Sequence, residues 1–168
     1  GETICVSHNK YGHHSVTQEM LASNNILMNS PNEDIKDVVV SEDSIVLIAL
    51  NPIDGYRSDD NVTNYRSFLV EMDDGLLAEQ KQYIDDLGLP YSICVFSGNK
   101  SLHFGIVLDK DLIDINVWRM AAQWILNIVS EADQLTKNPS RSIRFPDNKR
   151  PDGKKLVQKL IEMKGRVS

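Results

Sequence analysis

Two short segments carry most of the side chains that could do chemistry. The first, residues 68–75, begins with three apolar residues and then places Glu71 and Asp73 on either side of Met72. Because successive side chains of a strand point to opposite faces, acids two positions apart share a face. Such a pair of carboxylates can bind one divalent cation, and a solvated strand end would carry the same two acids. The segment alone leaves both interpretations open.

The second segment, residues 97–104, reads Ser-Gly-Asn-Lys-Ser-Leu-His-Phe. Gly98 and Asn99 are typical of a tight turn that leads into a strand. On that strand Ser101 and His103 share one face, and the apolar residues between and after them take the other. The segment therefore predicts a hydroxyl and an imidazole that project together from a strand.

The surrounding sequence predicts the elements that would position these side chains. Apolar patterning and turn residues indicate the order β-α-β-β-α-β. The predicted elements are a strand at 67–72, a helix at 76–87, strands at 91–96 and 101–108, a helix from Asp114 to about Val129, and a short strand at 142–145. This order is that of the split βαβ, or ferredoxin/RRM-like, unit, in which the first and third strands are neighbours and both helices cover one face. Glu71, Asp73, Ser101 and His103 would then converge on the open face.

The fold class predicted for the whole chain is α+β, with one domain over residues 1–168. Residues 1–60 would form an N-terminal α/β extension packed on the core, with strands at 2–7, 38–40 and 44–50 and a short helix capped by Ser15. Residues 61–150 would form the RRM-like core. Residues 151–168 would supply a C-terminal amphipathic helix, at about 153–163.

Charge is distributed unevenly along the chain. The net charge is −6, yet residues 136–168 hold ten Lys and Arg against three Asp and Glu, a local charge of +7, and residues 1–135 carry −13. This asymmetry is typical of a protein that meets phosphate groups on one side, and a solvated basic helix at 154–164 is the alternative for part of it.

Composition indicates the compartment in which we expect the protein to work. No apolar run reaches membrane-spanning length, so we expect no membrane partner. Cys5 and Cys94 are too few for a zinc cluster, and both occupy apolar strand patterns, which predicts reduced thiols in a cytoplasmic protein. Because the chain begins with Gly1 rather than Met, we expect it to be a segment of a longer protein.

Taken together, these segments resemble the catalytic core of the archaeo-eukaryotic primase superfamily, the primase-polymerases, particularly those of phages and integrated elements. The resemblance covers about residues 51–160. The first family motif, an apolar strand ending in acid-x-acid, matches residues 70–73, with Glu71 where many members have Asp. The second, Ser-x-His, matches Ser101 and His103, and the third, an acid after an apolar residue, matches Asp133. The basic segment of phage-type members matches residues 137–146, which include Arg141 and Arg144.

The resemblance implies template-dependent nucleotidyl transfer that makes or extends primers on single-stranded DNA by a two-metal reaction. It implies that Glu71, Asp73 and Asp133 bind Mg²⁺ or Mn²⁺, and that His103 completes the catalytic set. The residues it implies for nucleotide binding are Lys100, Ser101, His103, Arg141 and Arg144, with the choice between the two arginines left open. The implied partners are a single-stranded DNA template, ribonucleoside or deoxyribonucleoside triphosphates, and a replicative helicase or a helicase domain of the same parent chain. The implied location is the cytoplasm of a bacterial, archaeal or phage-infected host cell.

Three other functions stay open at this point. A rolling-circle replication-initiator nuclease shares the split βαβ unit but needs a His-apolar-His pair, and His13-His14 lacks the spacer. A non-catalytic RRM-like nucleic-acid-binding module would stack bases on aromatic side chains of the sheet, where this chain is expected to carry acids. A metal-dependent nuclease could use the same carboxylates.

Overall fold

The structure is a computed structural model that describes residues 2–8, 12–17, 26–28, 38–40, 45–148 and 156–168. These residues form ten strands and two α-helices. In chain order the elements are β1 (Thr3–His8), β2 (Gly12–Thr17), β3 (Ile26–Met28), β4 (Val38–Val40), β5 (Ile45–Ala49), β6 (Tyr65–Met72), α1 (Leu77–Asp86), β7 (Ile93–Phe96), β8 (Leu102–Leu112), α2 (Ile115–Ile128), β9 (Ser142–Arg144) and β10 (Lys159–Met163). Mixed helices and antiparallel sheets confirm the predicted α+β class.

The core sheet has the strand order β10-β7-β8-β6. The strands β6 and β8 are antiparallel neighbours, as the split βαβ unit requires, and Val70 lies opposite Phe104. Phe68, Val70 and Phe104 belong to one buried cluster with Ile84 of α1 and Trp118 of α2, which is part of the main hydrophobic core. Both helices therefore cover the same face of the sheet, and burial of these large apolar side chains is the main source of its stability.

Both helices begin with a carboxylate bonded to free backbone N–H groups. The Glu79 carboxylate accepts a hydrogen bond from the Leu76 backbone N–H at 3.0 Å. The Asp114 carboxylate accepts from the backbone N–H groups of Asn116 at 2.8 Å and Val117 at 3.0 Å, as predicted for an N-cap. The starts of both helices therefore follow from local sequence.

A second sheet, with the order β2-β1-β5-β9, packs against the other face of the core sheet. Leu69 and Val95 of the core sheet form a buried cluster with Ile143 of β9, flanked by Ile48 and Leu50. Gly105 of β8 lies on this face, where a Cβ would come within 2.7 Å of the Ile93 side chain on the paired strand β7. The described part of the chain thus has three layers: helices, core sheet and second sheet.

The short strand predicted at 142–145 occupies a different place from the one the split βαβ unit gives it. As β9 it joins the second sheet, where it pairs antiparallel with β5 and Ile143 lies opposite Ile48. Ile143 is buried there between the two sheets. The free edge of β5 and this apolar contact outweigh pairing with β6, so the basic segment ends in the second sheet.

The predicted C-terminal helix at 153–163 is wrong over its described part. Residues 159–163 form β10, an edge strand paired antiparallel with β7, while residues 153–155 lie outside the described residues. Leu156, Leu160 and Ile161 give the sequence its helical spacing, yet all three are exposed. Pairing with the open edge of β7 satisfies the backbone groups of both strands, which a helix would not do for β7.

The described part of residues 1–60 consists of strands and a 3₁₀ turn at Asp59–Asn61, rather than the predicted mixture with an α-helix. Ser15 lies in β2, opposite Cys5 of β1, so its predicted role as a helix cap is wrong. Residues 18–21, the rest of that predicted helix, lie outside the described residues. The strands predicted at 2–7, 38–40 and 44–50 correspond to β1, β4 and β5. No helix in the described ranges is long and apolar enough to cross a membrane.

Candidate active site

Three acids meet where β6 ends. Glu71 is on β6, Asp73 follows the strand directly, and Asp133 lies in the loop after α2. One carboxylate oxygen from each residue lies within 4.8 Å of those of the other two, and all three residues are half-buried. The Asp133 backbone N–H donates to the Glu71 carbonyl oxygen at 2.9 Å, which ties the loop to the strand. The geometry is that of a trio of carboxylates able to share a cation.

The environment of Glu71 opposes its ionisation. Burial raises the pKa of this carboxyl above its ordinary value, and the negative charges of Asp133 and Asp73 raise it further. The guanidinium groups of Arg141 and Arg144 act in the opposite direction. The three acids are therefore crowded enough to repel one another, and a proton or a cation between them would relieve that repulsion.

Ser101 and His103 lie beside the acids on the neighbouring strand. The Ser101 hydroxyl donates a hydrogen bond to the Asp73 carboxylate. His103 is opposite Glu71 in the strand register, and its Nδ1 lies 4.0 Å from the Glu71 Oε1. His103 is only 6% exposed, so its imidazole forms part of the floor of the site. The alternating faces of the two strands bring these four side chains together, as the sequence predicted.

A cavity of about 410 Å³ opens over these side chains, between the core sheet and the second sheet. Acids lie on one wall and the guanidinium groups of two arginines on the facing segment. The lining residues are Leu47, Arg57, Glu71, Asp73, Asn99, Lys100, Ser101, His103, Arg141, Ser142 and Arg144. A cavity with carboxylates and guanidinium groups on its walls suits a ligand that carries both phosphate groups and bound cations.

The turn before Ser101 requires its glycine. Gly98 has a φ of +81°, and a Cβ at this position would lie 2.8 Å from the Leu156 carbonyl oxygen. The turn brings Asn99 and Lys100 to the cavity wall. Any larger residue at Gly98 would have to displace either the turn or the chain that leads into β10.

The loop between β5 and β6 holds the basic segment in place. Asn51, which is 1% exposed, donates from Nδ2 to the Pro139 carbonyl oxygen at 3.0 Å. Its Oδ1 accepts from the Ser67 backbone N–H at 2.8 Å, so the same side chain bonds β6. The Asp59 carboxylate accepts from the Ser140 backbone N–H at 3.1 Å. Two residues of this loop therefore hold the chain just before Arg141, and one of them also bonds β6, the strand that carries Glu71.

Every residue predicted for the site lies in this region of the fold. Seven of the eight line the cavity, and Asp133 completes the acidic trio. Sequence patterns missed Arg57, Asn99 and Ser142 on the cavity wall. Arg57 lies in a polar loop outside the β-α-β-β-α-β pattern, and it donates from Nη1 to the Ser140 carbonyl oxygen at 3.3 Å. Only the folded structure shows that Arg57 lies beside the basic segment. No spacing pattern in the sequence predicts that contact.

Among solved structures, the fold is similar to the AEP domain of the primase-polymerase (PrimPol) of cyanophage S-2L. The TM-score is 0.65 at 19% sequence identity, and the match covers 99% of this chain and 83% of the phage domain. No family model matches the sequence. No curated protein matches it either. The resemblance found in the sequence is thus confirmed at the level of the fold.

Proposed function

We propose that this chain, which has the fold of a primase-polymerase catalytic domain, is a template-dependent nucleotidyltransferase that makes or extends primers on single-stranded DNA. The observation that carries the proposal is the acidic trio Glu71, Asp73 and Asp133, whose carboxylate oxygens lie within 4.8 Å of one another. It stands at a cavity whose facing segment carries Arg141 and Arg144. A nucleoside triphosphate with its cations needs both kinds of group.

The residues fit Mg²⁺ or Mn²⁺. Their donors are all carboxylate oxygens, the ligand type that hard divalent cations prefer. The raised pKa of Glu71 is a second sign: burial raises it first, and the negative charges of Asp133 and Asp73, which a cation would neutralise, raise it further. A bound cation would lower the pKa of the primer 3′-hydroxyl and neutralise charge on the triphosphate. Glu71, Asp73 and Asp133 would hold it, with the Ser101 hydroxyl fixing the orientation of Asp73.

The remaining side chains would bind the nucleotide. Arg141 and Arg144 offer planar guanidinium groups that can each bond two phosphate oxygens. Lys100 supplies a further positive charge at the cavity wall. His103, on the floor beside Glu71, would donate from an imidazole N–H to the triphosphate, which requires no charge on the ring. These groups bind and orient the reacting phosphate against the acids, which is most of what phosphoryl-type transfer asks of a protein.

The cyanophage protein is a primase-polymerase. We propose the partners of this chain by analogy with it. A single-stranded DNA template and ribonucleoside or deoxyribonucleoside triphosphates are the proposed substrates. A replicative helicase, or a helicase domain of the same parent chain, is a proposed neighbour in replication.

Two features disfavour a non-catalytic RRM-like module. Such modules stack bases on one open face of the sheet. Here Leu69 and Val95 on that face pack against Ile143 of the second sheet, and the part beyond them carries the acidic trio. Unscreened carboxylates would repel the phosphate backbone of a nucleic acid.

The test is an assay with a labelled primer on a longer template, Mn²⁺ and nucleoside triphosphates. The proposal predicts extension of the primer, loss of extension with EDTA, and template-directed choice of nucleotide. Nicking of the template without extension would favour a metal-dependent nuclease. Binding without either reaction would favour a nucleic-acid-binding module, and both outcomes would contradict the proposal.

A further inference from the structure

We infer that Gln80 of α1 is a positioning residue for the acidic trio: it fixes the main chain on both sides of Ser101 and so holds the Ser101 hydroxyl against Asp73. Gln80 does not line the cavity, and its side chain acts from the helix side of the core sheet. The inference rests on the proposed function, because it gives Ser101 and Asp73 their roles.

The Gln80 side chain is 1% exposed and uses its whole amide group on the main chain. Its Nε2 donates to the Lys100 carbonyl oxygen at 2.8 Å and to the Gly75 carbonyl oxygen at 3.2 Å. Its Oε1 accepts from the Leu102 backbone N–H at 2.8 Å. Lys100 and Leu102 are the two neighbours of Ser101 in the chain, so both peptide units around Ser101 are held from one side chain.

The bond from Gln80 to Gly75 links the side chain to the first acidic motif. Gly75 ends the short turn that follows Asp73, and the Ser101 hydroxyl donates to the Asp73 carboxylate. Gln80 therefore joins the turn after the first acidic motif to the strand start that carries Ser101. The two motifs come from strands that are neighbours in the sheet, but the ends of strands fray unless other groups hold them. Here the Gln80 side chain of α1 supplies those groups.

A glutamine has the donors and acceptor that this place requires. Two carbonyl oxygens need N–H donors, and one backbone N–H needs an acceptor, which matches a primary amide. Methionine has nearly the same length but none of these groups. A carboxylate keeps the acceptor and loses both donors. Methionine therefore removes all three hydrogen bonds and glutamate removes the two that Nε2 donates, both at nearly constant side-chain volume.

The experiment measures Mn²⁺ affinity by calorimetry and kcat/KM for nucleotide in Gln80→Met and in wild type. The matched control is Gln82→Met, an exposed glutamine on the same helix that bonds only Asp86 among the contacts described. We expect Gln80→Met to weaken Mn²⁺ binding and kcat/KM about tenfold each, the lower end of losses seen when the support of a metal ligand is removed. Gln82→Met should match wild type. Unchanged Mn²⁺ affinity in a folded Gln80→Met variant would overturn the inference.

A double-mutant cycle separates positioning from a general loss of stability. If Gln80 acts through Ser101, Gln80→Met should have little further effect on Mn²⁺ affinity in a Ser101→Ala background. The same tenfold effect in that background would overturn the inference. If Gln80→Met fails to fold, Mn²⁺ affinity is measured in Gln80→Glu instead. We expect a loss of less than tenfold relative to wild type, and no loss would overturn the inference.

The outcomes for the inference and for the proposed function can be told apart. Wild-type protein that binds Mn²⁺ but does not extend primers contradicts only the proposed function, and the affinities still test Gln80. Wild-type protein that extends primers, with variants that bind Mn²⁺ normally, contradicts only the inference. Failure of wild type to bind Mn²⁺ would overturn both.

Discussion

The backbone N–H of Asp133 donates a hydrogen bond to the carbonyl oxygen of Glu71 at 2.9 Å. The two residues are far apart in sequence, and this bond places the loop after α2 beside the end of β6. A second bond uses the side chain, since the Asp133 carboxylate accepts from the Leu135 backbone N–H at 2.9 Å. The main-chain bond keeps the loop beside β6, and the carboxylate bond stabilises the loop itself.

Asp73→Ala should abolish nucleotide incorporation while the protein stays folded. Asp73 follows the end of β6 and is half-buried, so its side chain adds little to packing, whereas a missing carboxylate removes one of the three proposed metal ligands. Primer extension and a thermal unfolding curve check the two halves of the prediction. The neighbouring exposed acid gives the control, since Asp74→Ala should retain extension. Full activity in Asp73→Ala would remove Asp73 from the site.

Arg144→Ala should mainly raise the KM for nucleotide, by about tenfold or more, because one charge-assisted contact is lost. Arg141→Ala tests the other guanidinium in the same assay, and comparison of the two shows which one binds phosphate. Arg119→Ala removes an exposed arginine from α2, on the opposite face of the core sheet, and should leave KM unchanged. Loss of template affinity with unchanged nucleotide KM would assign the segment to DNA instead.

His103→Asn should retain measurable extension at saturating nucleotide, with a raised KM. Asparagine keeps an N–H donor for phosphate but cannot accept a proton near neutral pH. His103→Ala keeps no donor and should lose far more activity. The measurement is kcat and KM for both variants. If both are equally inactive at saturating nucleotide while binding nucleotide normally, the imidazole acts as an acid or base and the phosphate role is wrong.

Glu71→Gln should stabilise the metal-free protein, increasingly so as pH rises. The folded-state pKa of Glu71 lies above its ordinary value of 4.5 because of burial first and neighbouring acids second. The folded state therefore holds a proton that the unfolded state has released, and the stability linked to that proton is lost as pH rises through the raised pKa. Each kcal/mol regained by the amide should raise the Tm by roughly 2–4 °C.

Unfolding curves of Glu71→Gln and wild type in EDTA, from below pH 4.5 upwards, check this expectation. A difference in Tm that stays constant over the pH range would contradict it. Addition of Mn²⁺ should reverse the order by stabilising wild type more than the variant, since ligand binding to the folded state raises its stability.

The core sheet and the convergence of the site residues follow from period-two alternation that is visible in the sequence. In residues 70–73 apolar and acidic residues alternate, so the sequence identifies both the face that meets the helices and the face that carries Glu71. Ser101 and His103 follow the same rule on β8. Once β6 and β8 are neighbours, the convergence of these side chains needs no further information.

Other parts depend on contacts that only the folded chain reveals. Residues 156–161 have helical spacing, yet residues 159–163 pair as β10 with the open edge of β7, a tertiary preference that overrides the local pattern. Ile143 leads β9 into the second sheet for the same reason. Arg57 and Asn51 come from a polar loop without periodicity, and Gln80 has the same spacing as any helix residue on an apolar face. Their roles follow from hydrogen bonds with partners distant in sequence.

The most direct test of the central claim is a crystal soaked with Mn²⁺ and a nucleoside triphosphate, with the ions located by anomalous scattering. We expect Mn²⁺ between the carboxylates of Glu71, Asp73 and Asp133, bound directly to their oxygens, with the triphosphate extending from the ion towards Arg141 and Arg144. Ions bound elsewhere, or a triphosphate bound away from these acids, would contradict the assignment of this site as a nucleotidyl-transfer centre.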